Sequence, residues 1–363
     1  AGRWTIIDDS LQSSRLDSDM IKTKETVKKR EFIDMKIDAT IGADLKKVAD
    51  QARRLEAIGY DGIKVAELEH DPFLPLTLAA EYTNKIELIT SVAVAFARNP
   101  MSMAHLAHDL NAFSDGRFIL GLGTQVKPHI TRRFGMPWHK GPRQMREFIN
   151  AMHNIFDCWY DGYDLEFDGE YYQHTLMPKT FTPKNIAADR PKILLSATGP
   201  LMTKVAAETA DGLIMHPFST EKFIREVNIP AIEAGLQNSD LSRQDFTIDF
   251  APLIATGKSD EEINAAKELA RGRIAFYGST PGYKMVLDAH GWGELQPELN
   301  FLMKQHRSEE MAALISDEIL NEFTLIGSPN EVAAEMLQRF GDIVDRSAFT
   351  VASYASLTAA ATA

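Results

Sequence analysis

Ile86-Glu87-Leu88-Ile89-Thr90-Ser91-Val92-Ala93-Val94-Ala95, read with the forty residues around it, sets the architecture. Met103, Leu106, Ala107, Leu110 and Phe113 come next at helical spacing, and then the run Phe118-Ile119-Leu120-Gly121. The first run is apolar and β-branched almost throughout, without the polar alternation of a half-exposed strand. A strand buried on both faces reads that way. A helix between two such runs is a crossover, and crossovers join parallel strands.

The same unit repeats in both directions. Strand-like runs occur at 36–41, 62–66, 193–196, 212–215, 246–255 and 347–353. Leu45, Val48, Ala49, Ala52, Leu55 and Ile58 mark the helix after the first, with Gly59 where a left-handed C-cap belongs. The pattern places further helices at 72–82, at 221–234 and over Met145, Phe148, Ile149, Met152, Ile155, Phe156 and Trp159. Pro200 opens a helix at its first position. Ser259 with Glu262 and Ser328 with Glu331 read as capping boxes. Eight alternations predict an α/β fold, a (β/α)₈ TIM barrel with insertions. Such a barrel needs about 250 residues, so much of the excess is assigned to excursions at 161–184 and 277–322. A doubly wound open sheet competes, but its glycine-rich loop belongs after the first strand, where Ile41-Gly42-Ala43-Asp44 offers one glycine. The reading is a single catalytic domain over 35–354, a polar N-terminal extension over 1–34 and a tail over 355–363.

A formal net charge of −12 argues against nucleic acid as a partner, since phosphate backbones demand clustered Lys and Arg. It leaves room for an anionic cofactor held locally by backbone N–H groups. The single cysteine, Cys158, sits in an apolar run and forms no intramolecular disulfide. No run is long and apolar enough to span a bilayer, and 1–34 lacks the apolar stretch of a signal peptide, so the expectation is a cytoplasmic enzyme with no membrane partner.

In a barrel of this kind the chemistry lies at the C-terminal ends of the strands. After strand two comes Glu67-Leu68-Glu69-His70-Asp71-Pro72, where carboxylates beside a histidine suit acid–base work; Asp71 and Pro72 also read as a helix start. Glu67 and His70 are the catalytic candidates. Strand four runs into Gly121-Leu122-Gly123-Thr124-Gln125. The glycines permit close approach of a planar ring, and the hydroxyl and amide suit its polar edge. The loop beyond it carries Lys127, His129, Arg132 and Arg133, a local positive patch, and then Trp138. After strand five, Ala197-Thr198-Gly199-Pro200 opens a helix whose N–H groups offer a phosphate seat. His216 follows strand six as a further pocket candidate. His105 and His108 with Asp109 lack a clustered third ligand, so they read as structural or subunit-contact residues and no metal is expected.

The stretch from Ile86 to Gly123 resembles the luciferase-like superfamily. Arg98-Asn99-Pro100 follows the apolar strand, and Ser114-Asp115-Gly116-Arg117-Phe118-Ile119-Leu120-Gly121-Leu122-Gly123 closes the unit. Thr198-Gly199-Pro200, Asp211-Gly212 and Gly327-Ser328-Pro329-Asn330-Glu331 fit the same pattern. Glu67, His70-Asp71-Pro72-Phe73 and the loop from Gly123 to His129 most resemble the branch that uses coenzyme F420, a deazaflavin hydride carrier. The resemblance implies a non-proline cis peptide at Ser91-Val92, forming a bulge against the cofactor's central ring. It places Glu67 and His70 near the reactive carbon, Thr124 and Gln125 on the ring's polar edge, and Ala197, Thr198 and Gly199 on the phosphate. His129, Trp138 and His216 would shape the substrate side. Relatives often pair Asp and His directly after strand two, whereas two residues separate Glu67 from His70; some carry an acid where Lys127 stands. The implied activity is hydride transfer between F420 and a small organic substrate by a homodimer. Two other readings stand beside it: an FMN-dependent monooxygenase fed by a separate reductase, and a non-catalytic cofactor-binding barrel.

Overall fold

Each apolar run becomes a parallel strand in the computed structural model, which describes residues 35–184 and 189–348. The predicted extension over 1–34, the tail over 355–363 and residues 349–353 of the predicted eighth strand lie outside them. The barrel strands are β1 (Lys36–Thr40), β2 (Gly62–Val65), β3 (Glu87–Thr90), β4 (Phe118–Gly123), β5 (Lys192–Ala197), β6 (Gly212–Met215), β7 (Thr247–Phe250) and β8 (Arg346–Ala348). Every neighbouring pair is parallel. The pairings of β8 with β1 and of β3 with β4, the latter through Leu88↔Phe118 and Ile89↔Ile119, close the cylinder. The expected (β/α)₈ barrel is therefore the observed fold.

The helices between them are α1 (Leu45–Ile58), α2 (Phe73–Tyr82), α3 (Pro100–Phe113), α4 (Gly141–Phe156), α5 (Pro200–Thr209) and α6 (Ile229–Leu236). Their ends follow local chemistry. Asp44 caps α1 through the Lys46 N–H, and Gly59 closes it at φ 98°. Asn99 caps α3 through the Ser102 N–H, with Pro100 at the first position. The Ser114-Asp115-Gly116-Arg117 run is a left-handed turn, with φ 54° at Asp115 and 81° at Gly116. Arg117 donates to the carbonyls of Ala80, Thr83, Ile86 and Ser114 and to the Thr83 hydroxyl, at 2.8–3.1 Å. One guanidinium thus satisfies the end of α2 and the entry to β3, which no ammonium can do.

Contacts divide the chain into two compact units. The first, Lys36–Ala251 with Arg346–Ala348, holds the whole barrel. The excursion at 161–184 is a short antiparallel pair, Phe167–Asp168 with Gln173–His174, and the Glu147 carboxylate on α4 anchors it by accepting the N–H groups of Glu170, Tyr171 and Tyr172. The helix expected over 221–234 is interrupted: a wide, π-type turn at Ile224–Asn228 precedes α6.

The second unit lies within Pro252–Asp345. It corrects the reading of 246–255 as one strand. Pro252 has no N–H to give a ladder, so pairing in the barrel ends at Phe250. Leu253–Thr256 instead pairs in parallel with Thr324–Gly327, a strand the sequence reading missed. The long helix α7 (Asp260–Gly278) follows Ser259, whose Oγ accepts the Glu262 N–H, and α8 (Pro329–Phe340) follows the full capping box of Ser328 and Glu331. The segment 277–322 carries four short helices, Lys284–Asp288, Leu295–Lys304, Ser308–Ala313 and Asp317–Phe323. Among the described residues no helix is long and apolar enough to cross a membrane.

Candidate functional site

The inside of the barrel is divided. Ile89, Ile119, Leu194 and Ile214, from β3 to β6, form a buried apolar cluster, and Val92 packs against it. On the other side, β1, β2, β7 and β8 contribute Asp38, Lys64, Asp249 and Arg346, all buried. Lys64 Nζ lies 2.7 Å from Asp249 and 3.1 Å from Asp38. Arg346 holds Asp38 through two bonds, 2.6 and 2.8 Å, and reaches Glu87 at 2.6 Å. Burial works to raise the Asp38 carboxyl, yet Lys64 and Arg346 beside it hold it below the ordinary value. Burial pushes Asp249 up, against the pull of Lys64. A Cβ at position 62 would stand 2.4 Å from Asp38 Oδ1, so Gly62 makes room for this network. The sequence reading missed all four charges. A signal was available for three of them: Asp38, Lys64 and Asp249 stand inside the strand-like runs at 36–41, 62–66 and 246–255, where a charge must find a buried partner.

Above this interior, β3 ends in a bulge. The Ser91-Val92 peptide is cis, as the resemblance implied. Ser91 N–H donates to the Val65 carbonyl at 2.7 Å, and Ala93–Val94 resume pairing with Leu122 and Gly123. Glycines in β4 admit the bulge: a Cβ at Gly121 would lie 1.9 Å from the Thr90 carbonyl oxygen, and one at Gly123 would lie 2.6 Å from Val92 Cγ2.

Glu67 is tied to both sides of the bulge. Its N–H donates to the Val92 carbonyl at 3.3 Å, and its Oε2 accepts the Val94 N–H at 2.7 Å. The same oxygen accepts Arg98 Nη1 at 2.7 Å. Arg98 Nη2 reaches Asp71 at 2.8 Å, and the other Asp71 oxygen accepts the Phe73 N–H. The helix starts one residue later than the sequence suggested: Pro72 stands at the N-cap position, and Asp71 just before it bonds the first helical N–H. Between these anchors His70 is exposed. Glu67, Leu68, Glu69, His70 and Asp71 line one side of a cleft of about 390 Å³, and Arg133 and Phe134 line it too.

The strand-four loop turns sharply. Gln125 has φ 59°, its Oε1 accepts the Val126 N–H, and the Thr124 hydroxyl donates to the Gln125 carbonyl. A wide turn follows at His129–Arg133, pinned by buried Ile130, with Lys127, His129, Arg132 and Arg133 exposed. Trp138 packs edge-on against Phe96, just beyond the bulge, at 5.4 Å. His129 stands out on its turn; Trp138 is brought to the bulge segment.

Ala197, the last residue of β5, is buried, and Thr198 and Gly199 beyond it are half-buried where α5 begins. The first N–H groups of a helix have no partner within it. Asn228, brought in by the wide turn before α6, is buried and donates from Nδ2 to the Thr198 carbonyl and the Thr203 hydroxyl, both at 3.1 Å. No feature of the sequence singled out Asn228. His216 follows β6; its Nδ1 accepts the Phe218 N–H at 3.0 Å, which leaves the ring proton on Nε2. Burial pushes its imidazole down to about 4. His108 bonds the Tyr160 hydroxyl and His105 stacks on Trp159, consistent with structural roles. Among the described residues no group of three or more His, Cys, Asp or Glu is arranged to hold a metal.

Known proteins resemble this chain in sequence and in fold. The family model for luciferase-like monooxygenases matches residues 30–346. The chain is 46% identical to an uncharacterized protein of Mycobacterium tuberculosis over 312 residues, 86% of this chain and 92% of that one. It is 28% identical to the 5,10-methylenetetrahydromethanopterin reductase of Archaeoglobus fulgidus, covering 71% of this chain and 74% of the relative. It is 27% identical to the F420-dependent glucose-6-phosphate dehydrogenase of Intrasporangium calvum, covering 55% and 63%. In three dimensions it matches the coenzyme F420 dependent tetrahydromethanopterin reductase of Methanopyrus kandleri with a TM-score of 0.72 at 20% identity, over 87% of this chain and 92% of that one.

Proposed function

The chain belongs to the luciferase-like monooxygenase family and is an enzyme, and from that premise we propose that it is an F420-dependent oxidoreductase moving a hydride between the deazaflavin and a small organic substrate. The observation that carries the reading is the bulge at Val92, set on a filled apolar floor and opening beside a cleft lined by His70.

The residues present fit a planar, phosphorylated ring. Val92 offers it an apolar shelf, and Gly121 and Gly123 let that shelf sit against β4. Gln125 Oε1 is committed to the Val126 N–H, which leaves the Nε2 amide to donate to the ring's polar edge. The opening of α5 at Thr198 and Gly199 presents backbone donors and a positive dipole end to a phosphate. When bound, the deazaflavin supplies the two-electron chemistry, and the protein supplies orientation and proton handling.

The two catalytic candidates divide their work. Glu67 Oε2 already accepts two bonds and its side chain is nearly buried, so Glu67 holds the bulge. His70 faces the cleft and exchanges the proton that accompanies reduction or oxidation of the substrate. His216, neutral near pH 7, carries its ring proton on Nε2 and adds no charge. The proposal extends to a cytoplasmic homodimer.

The test is equilibrium binding of F420 and of FMN to the purified protein, followed by reduction of F420 against a panel of alcohols, aldehydes and activated alkenes. Tighter binding of F420 is expected, with His70→Gln reducing turnover and leaving binding intact. Tighter binding of FMN, with oxygen uptake when reduced FMN is supplied, would replace this reading with the monooxygenase one.

A further inference from the structure

Arg98 is half-buried beside the bulge, and its two terminal nitrogens go to different places. Nη1 holds Glu67 at 2.7 Å and Nη2 holds Asp71 at 2.8 Å. Nη1 also reaches the Val94 carbonyl at 3.2 Å, and the guanidinium carbon lies 5.7 Å from the Phe73 ring centre. The two carboxylates lie four residues apart and bracket His70. The segment from Glu67 to Asp71 is therefore a short loop with both ends fixed to one rigid, planar group. That group grows from the turn that directly follows the bulge. Any movement of the loop relative to Val92 must break a charge-assisted bond, and such bonds are short and directional. His70 itself has an exposed side chain, and its position follows that of the loop's backbone. A lysine here could meet one carboxylate and would release the other.

We propose that Arg98 is a positioning residue, clamping the 67–71 loop at both ends so that His70 is presented to the cofactor ring resting on Val92. The inference rests on the functional reading above. It gives Glu67, Asp71 and Arg98 a shared role, in which they make one histidine's distance from the ring a fixed property of the fold.

The experiment measures how well F420 shields His70 from carbethoxylation by diethyl pyrocarbonate, read peptide by peptide by mass spectrometry. Exposed His129 serves as the internal control. At ten times the dissociation constant, mass action leaves about a tenth of sites open, so a histidine covered by the ring reacts roughly tenfold more slowly. That slowing is expected for His70 in the wild type. Two variants are compared with it. Asp71→Asn keeps an oxygen to cap Phe73 but weakens one end of the clamp. Arg98→Lys releases one carboxylate outright.

Both variants should bind F420 within a few-fold of the wild type, and in both the shielding of His70 should fall below about twofold. A residue that merely braced α2 would leave the shielding unchanged, so full shielding in Asp71→Asn and Arg98→Lys overturns the proposal. Tight F420 binding by the wild type with no shielding of His70 also overturns it while leaving the cofactor assignment standing. No F420 binding by the wild type sinks the cofactor assignment and the proposal with it.

Discussion

Replacing Gly123 by alanine tests the packing that the site depends on. The added Cβ would lie 2.6 Å from Val92 Cγ2 and 3.8 Å from Ser196 Cβ. Comfortable carbon–carbon contacts begin near 3.5 Å, so Val92 or β4 must give by about 1 Å. Overpacking of this kind costs roughly 1–3 kcal/mol, a fall in Tm of roughly 2–10 °C for a domain near this size. Val92→Ala alone loses two methyl groups from a half-buried position, roughly 1 kcal/mol. The double variant removes the methyl that the new Cβ at position 123 strikes, so its loss should be smaller than the sum of the single losses by about 1 kcal/mol or more. Thermal melts of the four proteins measure this coupling directly. Cofactor binding supplies a second reading. A shelf displaced by an ångström should weaken F420 binding in Gly123→Ala, and the double variant should recover part of the loss. Strictly additive Tm losses would falsify the argument, because they would mean that Val92 does not rest on Gly123.

Three further outcomes are expected of the same structure. Asn228→Ala removes two bonds that fix the opening of α5; affinity for F420 should fall about tenfold, while affinity for the phosphate-free deazaflavin stays level, and equal losses for both ligands would dissociate Asn228 from the phosphate. Asp38→Asn strips the carboxylate that neutralises both Lys64 and Arg346 and should cost about 3–5 kcal/mol; Asp249→Asn, a neutral mimic of the protonated form that burial favours there, should cost much less, as paired denaturation curves will show. The His216 ring is held below its ordinary 6.5, at about 4, so the unfolded chain binds a proton there before the folded one does. Its contribution to stability is complete above about pH 6.5 and drains as pH falls towards 4; His216→Gln should flatten the stability profile in that window, and an NMR titration placing the ring near 6.5 would contradict the assignment.

The barrel was legible because its strands are buried on both faces and its helices carry their own stops and starts. Gly59, Asn99-Pro100, Pro200 and Ser328 with Glu331 all act locally, within a turn of the residue concerned. The features that escaped the sequence act at a distance. Pro252 ends the seventh barrel strand, but only the partner strand at 324–327 shows where the residues after it belong. Asn228 reaches Thr198 across thirty positions because a wide turn rotates it inward, and no periodicity announces such a turn. Asp38 and Arg346 meet across the closure of the barrel, 308 residues apart.

The site residues show the same division. Glu67 and His70 read together as acid–base candidates, because the loop after strand two holds both. Their roles separate only when Arg98 is seen between Glu67 and Asp71, since a carboxylate oxygen already accepting from a guanidinium and a backbone N–H is taken up in holding the bulge. The divided interior gives this a larger setting. The charged half of the barrel, under β1, β2, β7 and β8, is closed by its own ion pairs, while the apolar half under β3 to β6 ends at Val92. A ring placed on Val92, as proposed, would meet a floor without charge, and the titratable groups within its reach would come from the loops at the mouth. On the proposed function, proton handling falls to the residues whose positions the loops control, and the proposed clamp on the strand-two loop would bear on chemistry as well as on shape.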